Sequence, residues 1–219
     1  MLLRRLPNVE HLIVTADAMH CQQESARVTT QEKGWDYVFG LKGNQSGILE
    51  RAERLLERKS FPSDSEVEWE YGHHRMERRR IVRLPVTPEE IGLIGCWQII
   101  AVRRERIPLN KKKEKPSDEI GYYVSSLFYS KSTDDQMHEI IRGHWSAIEN
   151  GIHYRRDVSF GEDKCRISKK KAAHAMASMR NLAIGTYKIL SEHGKIIADS
   201  CKSWSRQLTF GNALKALRC

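Results

Sequence analysis

The chain has 219 residues, of which 40% are hydrophobic and 30% are charged, and its 37 lysines and arginines outnumber 28 aspartates and glutamates for a net charge of +9. This composition excludes a membrane-spanning protein and a disordered chain, and the length allows one well-buried domain with an insertion. The positive charge favours a polyanionic partner, above all nucleic acid. The first residues do not have the pattern of a signal peptide, so we expect a cytoplasmic protein without a membrane partner.

The first part of the chain predicts four elements in the order strand, helix, strand and helix. They cover residues 11–16, 22–33, 36–41 and 47–58. The first run, HLIVTA, is apolar and rich in β-branched residues, which predicts a strand buried on both faces, as in a parallel or mixed sheet. The order indicates an α/β core with a right-handed crossover, which we assign to residues 1–59.

Asp17 stands where the first predicted strand ends, and Lys42 follows directly after the second. In α/β folds, functional groups lie at the ends of buried strands, so Asp17 is a candidate site residue. Aspartate also favours the position just before a helix, where its side chain caps the first turn. The two roles are compatible, and the pattern alone leaves both open.

The character of the chain changes near residue 60. Four further strands are predicted over residues 66–71, 76–86, 97–106 and 120–127. The charged run NKKKEKPSD at residues 110–118 predicts a hairpin tip or loop, which is either solvated or placed to hold phosphates. We assign residues 60–130 to a basic, mostly antiparallel β-rich insertion.

A helix is predicted from residue 136 to about residue 155. At about 100° per residue, Arg142, Glu149, His153 and Arg156 project from it within roughly 40° of one another, beside an apolar stripe. A surface helix would place its charges opposite the apolar stripe instead. The arrangement indicates a metal-binding or catalytic carboxylate, and a salt-bridged helix at the rim of the domain is the alternative.

The C-terminal part, residues 131–219, is expected to be helical. The run AAHAMASMRNLAIGTYKIL at residues 172–190 predicts a strongly apolar helix in the core. Residues 203–217 predict a shorter amphipathic helix.

Asp17 and Glu149 are the two best-placed acids for chemistry. Two or three carboxylates that bind divalent cations can organise a phosphodiester for in-line attack. Mg²⁺ suits oxygen ligands of this kind, and it keeps bound water that can serve as the nucleophile. Basic residues around these carboxylates would hold the phosphates.

Four stretches of the chain resemble, in this order, the insertion-sequence transposases of the DDE class. They are VTADAMHCQ, DYVFGLKGNQ, IRGHWSAIENGIHYRRDVSFGEDKCRI and AMASMRNLAIG. The closest branch is the ISAs type, in the group with a β-rich insertion before the catalytic glutamate. The resemblance covers essentially the whole chain, and it implies a ribonuclease-H-like α/β fold, with a mixed sheet and flanking helices.

The resemblance also implies roles for individual residues. Asp17 would be the second catalytic acid and Glu149 the third, and both would bind Mg²⁺ or Mn²⁺. The reaction would be cleavage of double-stranded DNA at the transposon ends, followed by attack of a 3′-hydroxyl on target DNA. The side chains expected to contact DNA are Arg142, His144, His153, Arg156 and Lys42.

Two departures from the family limit this expectation. The wider group's Tyr-x2-Arg-x3-Glu-x6-Lys pattern is not kept, since its Tyr, Arg and Lys positions hold Arg142, Trp145 and Arg156 here. The family's first catalytic aspartate lies on an earlier strand, whereas this chain starts 16 residues before Asp17. We therefore expect the C-terminal part of a transposase, N-terminally incomplete and impaired in catalysis, whose first strand is an exposed sheet edge.

The expected location is the bacterial cytoplasm, in association with the nucleoid. A homodimer is expected because the family acts on two transposon ends, and a second polypeptide with the missing N-terminal strands is the alternative partner. The alternative function is a non-catalytic DNA-binding remnant, or a regulator of transposition. The net charge and the basic β-rich segment favour that alternative.

Overall fold

The structure, a computed structural model, describes residues 2–63, 67–72, 74–109, 115–145, 155–194 and 200–207. The chain divides into two compact units, Met1–Arg142 and Gly143–Cys219. The first unit contains the sheet, and the described elements of the second unit are helical.

The first unit contains a mixed sheet, which has six strands among the described residues. The strands are β1 (Ile13–Ala16), β2 (Asp36–Leu41), β3 (Glu70–Gly72), β4 (Arg75–Pro85), β5 (Gln98–Pro108) and β6 (Ser117–Ser125). Their order across the sheet is β1-β2-β6-β5-β4-β3. The pair β1–β2 is parallel, and the other pairs are antiparallel.

The helices of the described residues flank or follow this sheet. They are α1 (Gln23–Arg27), α2 (Ser46–Leu56), α3 (Pro88–Ile91), α4 (Asp134–His144), α5 (Lys170–Glu192) and α6 (Cys201–Gln207). A π-helical turn, Val28–Glu32, continues α1, and the segment closes at Gly34 with a φ of +64°. Glycine suits this position because side chains other than its hydrogen are strained at positive φ.

The core lies between α2 and the face of the sheet that α2 covers. Ile48, Ala52 and Leu56 are spaced four residues apart, so they share one side of α2, and all three are buried. They belong to one cluster with buried residues of the strands, among them Phe39 of β2 and Ile99 of β5. This burial of aliphatic and aromatic side chains is the main stabilisation of the first unit.

The mixed α/β architecture is consistent with a ribonuclease-H-like fold, so the predicted fold class is confirmed. The strand predicted at residues 36–41 is found over those residues, and the strands predicted after residue 60 are antiparallel, as expected. The structure adds one relationship that the pattern did not predict. Because β6 pairs with β2, the strands of the basic segment extend the same sheet as β1 and β2.

The first strand differs from its prediction. It begins at Ile13, two residues later than predicted, and all four of its residues are only half buried. The reason is its place at the end of the sheet, where β2 is its one neighbour among the described strands. The prediction that this strand lies at the edge of the sheet is thereby confirmed, whereas the prediction that it is buried on both faces is wrong.

The helical predictions are confirmed in part. The helix predicted at residues 136–155 is found as α4, which ends at His144, and residues 146–154 lie outside the described residues. The apolar core helix predicted at residues 172–190 is found as α5, but only part of its apolar surface is buried. Along α5, Ile184, Tyr187 and Leu190 are buried, but other apolar side chains are exposed because only one stripe of the helix packs. Among the described residues, we find no helix both long and apolar enough to cross a membrane.

Candidate active site

Asp17 lies immediately after β1, in extended backbone with φ −66° and ψ 162°. It precedes a short 3₁₀ turn, Ala18–His20, and its carbonyl oxygen accepts a hydrogen bond from the backbone N–H of His20 at 2.9 Å. Its side chain makes no capping hydrogen bond to that turn. The cap position that the sequence suggested is therefore occupied by Asp17, but its carboxylate is not used as the cap.

The parallel pairing of β1 and β2 places Asp17 and Lys42 on the same side of the sheet, where each follows the carboxyl end of its strand. Ala16 lies opposite Phe39 in the register, so β1 ends two residues before the end of β2 at Leu41. The amide nitrogen of Asn44 donates to the carbonyl oxygen of Ala18 at 2.8 Å, which ties the loop after β2 to the loop after β1. An exposed lysine thus follows β2 at the edge where the aspartate follows β1.

Asp36 lies at the opposite end of β2 from Lys42. It begins β2, and its carboxylate accepts a hydrogen bond from the hydroxyl of Ser126 at 2.8 Å. The same hydroxyl accepts from the backbone N–H of Tyr37 at 2.8 Å. The strand length separates Asp36 from the Asp17 edge by roughly 15 Å, so the two carboxylates do not share a ligand.

The predicted residues of α4 have different surroundings. Arg142 is half exposed, and its Nη1 donates to Oε1 of Glu70 at 2.8 Å. His144 is buried, and its ring lies edge-on to that of Trp145 with centroids 5.7 Å apart. Glu149 and His153 lie outside the described residues, so their predicted roles are untested.

In the second unit, Arg156 forms an ion pair with Glu162. Its Nη2 donates to Oε1 of Glu162 at 2.7 Å, and its Nε donates to the other carboxylate oxygen. Arg180 lies 3.6 Å from the same carboxylate. The hydrogen bonds to Glu162 raise the pKa of Arg156 above its ordinary value, so the guanidinium is charged and its fork is occupied by a carboxylate.

Sequence reasoning found residues 60–130 to be basic, but it missed how arginines of β4 and β5 surround two carboxylates. Glu77, whose side chain is 8% exposed, lies among four arginines. Its carboxylate pairs with Arg79 and Arg104, with Arg75 at 3.1 Å, and with Arg106 at 3.8 Å. The signal was present in the runs RMERRRIVR and RRER, whose alternate residues point to opposite faces of a strand.

A second carboxylate, Glu105, organises the other face of the same two strands. Its oxygens accept from Arg78 at 3.0 Å and from Arg80 at 2.7 Å. The hydrogen bond from Arg78 lowers the pKa of Glu105 below its ordinary value. On each face of the β4–β5 pair, one glutamate of these strands thus contacts two or more arginines.

The possible metal ligands near Asp17 suit a divalent cation only in part. A carboxylate oxygen is a ligand that such hard cations prefer. Cys21, close in the chain, is fully buried, and burial raises the pKa of its thiol to about 12, so it is not a thiolate ligand. No cluster of three or more His, Cys, Asp or Glu side chains forms within the described part of the chain, and Glu149 is outside it.

Comparison with known proteins identifies the family. The family model described as the transposase DDE domain matches residues 1–185, and the chain therefore belongs to the DDE transposases. The family predicted from the sequence motifs is confirmed, whereas the ISAs branch remains a prediction.

Similar proteins occur in Escherichia coli. The chain is 33% identical over 190 residues to the "H repeat-associated putative transposase YhhI" of strain K12, an alignment that covers 83% of this chain and 49% of that protein. It is 31% identical over 189 residues to the "Putative transposase YncI" of strain O157:H7, which covers 83% of this chain and 47% of that protein. The chain therefore spans about half the length of the curated relatives it matches.

Proposed function

We propose that this chain acts in DNA transposition, in a protein that cleaves DNA at transposon ends and joins the resulting 3′-hydroxyl to target DNA. The observation that supports this proposal most directly is the position of Asp17. It follows the edge strand of a mixed sheet, in a chain of the DDE transposase family. In α/β folds, ligands and functional groups lie at the carboxyl ends of parallel strands, and Asp17 is at such an end.

Asp17 and Glu149 are the proposed catalytic acids, and they would together hold Mg²⁺ or Mn²⁺. When bound, such ions activate the attacking oxygen and stabilise the leaving oxygen of a phosphodiester. The contribution of Asp17 is a carboxylate presented by extended backbone and not used as a helix cap. Lys42, after the neighbouring strand, would hold a phosphate of the same DNA strand.

The proposed DNA contacts are Arg142, His144, His153 and Arg156. Arg142 has the strongest support, because both it and its partner Glu70 are half exposed, and an exposed ion pair is weak enough for a phosphate to displace. The proposed substrate is double-stranded DNA of transposon ends and target. A homodimer would let two such chains hold two ends.

Binding of Mn²⁺ tests the proposed acids without requiring turnover. In the presence of a DNA duplex, we expect Asp17→Asn and Glu149→Gln each to weaken Mn²⁺ binding at least about tenfold, as loss of a charged ligand does. Asp36→Asn is the matched control, because it removes a carboxylate at the other end of β2. Equal Mn²⁺ affinity in the wild type and the Asp17 and Glu149 variants would contradict the proposal.

A second candidate function is DNA binding without catalysis, as in a regulator of transposition. The arginine-rich β4–β5 surface favours it, since guanidinium groups recognise phosphates. This function predicts a DNA affinity that falls steeply with salt and is unchanged by Asp17→Ala or Glu149→Ala. Metal-dependent strand cleavage that both substitutions abolish would exclude it.

A further inference from the structure

The beginning of β4, its two neighbouring strands and α4 bring several basic side chains to one place. We name this group the β3–α4 cluster, and it consists of Glu70, Glu77, Arg79, Arg104, Arg106, His138 and Arg142. Four of these residues are arginines and two are glutamates, so the cluster has a net charge of +2 with a neutral histidine. All of its members belong to the first unit.

The two carboxylates of the cluster are held very differently. Glu77 is 8% exposed, and its partners include Arg79 and Arg104. Glu70 is 51% exposed and lies on β3, a three-residue strand whose residues are all exposed. Its partners are Arg142 at 2.8 Å and Arg79 at 3.6 Å. Glu77 is therefore a fixed part of the sheet, whereas Glu70 is an outer counter-ion.

The strand register further weakens the hold on Glu70. Glu70 lies directly opposite Glu77 in the β3–β4 pair. Like charges opposite each other on neighbouring strands repel, so the position of Glu70 depends on the two arginines that it contacts. Exposed ion pairs of this kind contribute little free energy because water and salt screen them.

Two further polar groups of the cluster have no hydrogen-bond partner in the described protein. They are Nε2 of His138 and Nε of Arg106, both buried, and the Arg106 atom is 3.8 Å from the Glu77 carboxylate, too far for a hydrogen bond. Burial lowers the pKa of His138, and the positive charges of Arg79 and Arg142 lower it further. Buried polar atoms without a hydrogen bond are rare in native proteins, so the cluster has unused hydrogen-bonding capacity beside Arg79 and Arg142.

We propose that the β3–α4 cluster binds a phosphate group of duplex DNA, which takes the place of the Glu70 carboxylate between Arg79 and Arg142. This inference rests on the proposed function, since it extends the DNA contact proposed for Arg142 to Arg79 and assigns Glu70 the role of a competitor. The planar guanidinium fork binds a carboxylate or a phosphate with the same pair of N–H groups. Glu70 thus occupies, in the absence of DNA, the position of a phosphate.

The proposal has a consequence that a purely structural ion pair does not have. Glu70 competes with DNA, so its neutralisation raises the affinity for DNA. Arg142 contacts the phosphate, so its neutralisation weakens binding and lowers the dependence on salt. A structural ion pair would leave both quantities unchanged, apart from the general effect of one unit of net charge.

The test measures binding of a fluorescein-labelled DNA duplex by anisotropy over a series of KCl concentrations. We expect Glu70→Gln to bind roughly three- to tenfold more tightly than the wild type. This is the gain expected when DNA no longer has to break one or two exposed ion pairs. The matched control is Glu89→Gln, since Glu89 is exposed at the other end of β4, roughly 30 Å away and beyond the reach of screened charges. We expect Arg142→Gln to reduce the slope of log affinity against log salt by about one.

Glu70 and Arg142 are both about half exposed, so neither substitution removes a core contact. Glu70→Gln and Glu89→Gln variants that bind DNA equally tightly would overturn the inference, as would an unchanged salt slope in Arg142→Gln. In both cases the wild type still binds DNA, and the proposed function stands. A wild-type protein without salt-dependent duplex binding would overturn the proposed function and the inference together.

Discussion

Nε of Arg83 donates to Oδ1 of Asp134 at 2.6 Å, and this contact joins β4 to the first residue of α4. The Arg83 side chain is 4% exposed, whereas that of Asp134 is 56% exposed. The remaining nitrogens of Arg83 donate to Oε1 of Gln98 at 3.0 Å and to the hydroxyl and carbonyl oxygens of Ser132 at 2.9 Å. The guanidinium therefore fixes the segment that leads from β6 into α4.

Substitution of Arg83 tests this role. Arg83→Lys keeps the charge but cannot reproduce the fork, so the buried side-chain oxygen of Gln98 and the half-buried oxygens of Ser132 lose hydrogen bonds. We expect the free energy of unfolding to fall by roughly 2–4 kcal/mol in urea titrations. Asp134→Asn should cost less than about 1 kcal/mol, because that partner is exposed. Equal losses in the two variants would contradict the assignment.

Glu77 gives a prediction about acid stability. Burial alone would raise its pKa, but the hydrogen bond from Arg104 and the charges of Arg79 and other arginines lower it below the ordinary value of 4.5. A carboxyl group with a lowered pKa in the folded state contributes stability above pH 4.5, and this contribution is lost as the pH falls through the folded-state pKa.

We expect Glu77→Gln to lower the free energy of unfolding at neutral pH by roughly 2–4 kcal/mol, because four arginines lose a shared counter-ion. The difference between this variant and the wild type should shrink below pH 4.5, where the wild-type carboxyl group also becomes neutral. Urea titrations at neutral and acid pH measure both quantities. A variant whose deficit is the same at every pH would show that Glu77 acts by its shape rather than by its charge.

His138 predicts a second pH dependence, at higher pH. Its pKa is lowered by burial and by Arg79 and Arg142, and the charges of Glu70 and Asp135 oppose this effect. Below pH 6.5 the unfolded chain takes up a proton that the folded protein excludes, so the free energy of unfolding should fall. His138→Gln should remove most of this fall just below pH 6.5, whereas His174→Gln, at an exposed position of α5, should not. Identical pH profiles in the two variants would be evidence against the buried neutral histidine.

Much of the fold could be predicted because the signals are local. The strand at residues 36–41 is a mostly apolar run with turn residues on both sides of it. The helix α2 has apolar residues at spacings of three and four. The pairing of β6 with β2 could not be predicted in the same way. It joins residues more than 80 positions apart, such as Val38 and Ser125, and periodicity contains no information about which strands are neighbours.

The site shows the same division. Asp17 could be found because it ends an apolar run, and its place after a strand is confirmed. The partners of Glu77 within β4 were visible as alternate residues of one run, but its partners on β5 could not be assigned, because the register of the two strands is set by the fold. The exposed apolar side chains of α5 were missed for a related reason. Composition indicates that a helix can be buried, but it does not say which stripe packs.

Ser126 provides a last prediction, about the start of β2. Its hydroxyl accepts from the backbone N–H of Tyr37 and donates to Asp36, each at 2.8 Å, while its own N–H donates to the carbonyl oxygen of Tyr37 at 3.1 Å. Ser126→Ala leaves the buried N–H of Tyr37 without its acceptor, so we expect a loss of about 1–3 kcal/mol in the free energy of unfolding. Asp36→Asn keeps an acceptor for the hydroxyl and should cost less than about 1 kcal/mol. Thermal and urea unfolding of both variants measure the difference, and a larger loss in Asp36→Asn would mean that the carboxylate, rather than the hydroxyl, joins β2 to the end of β6.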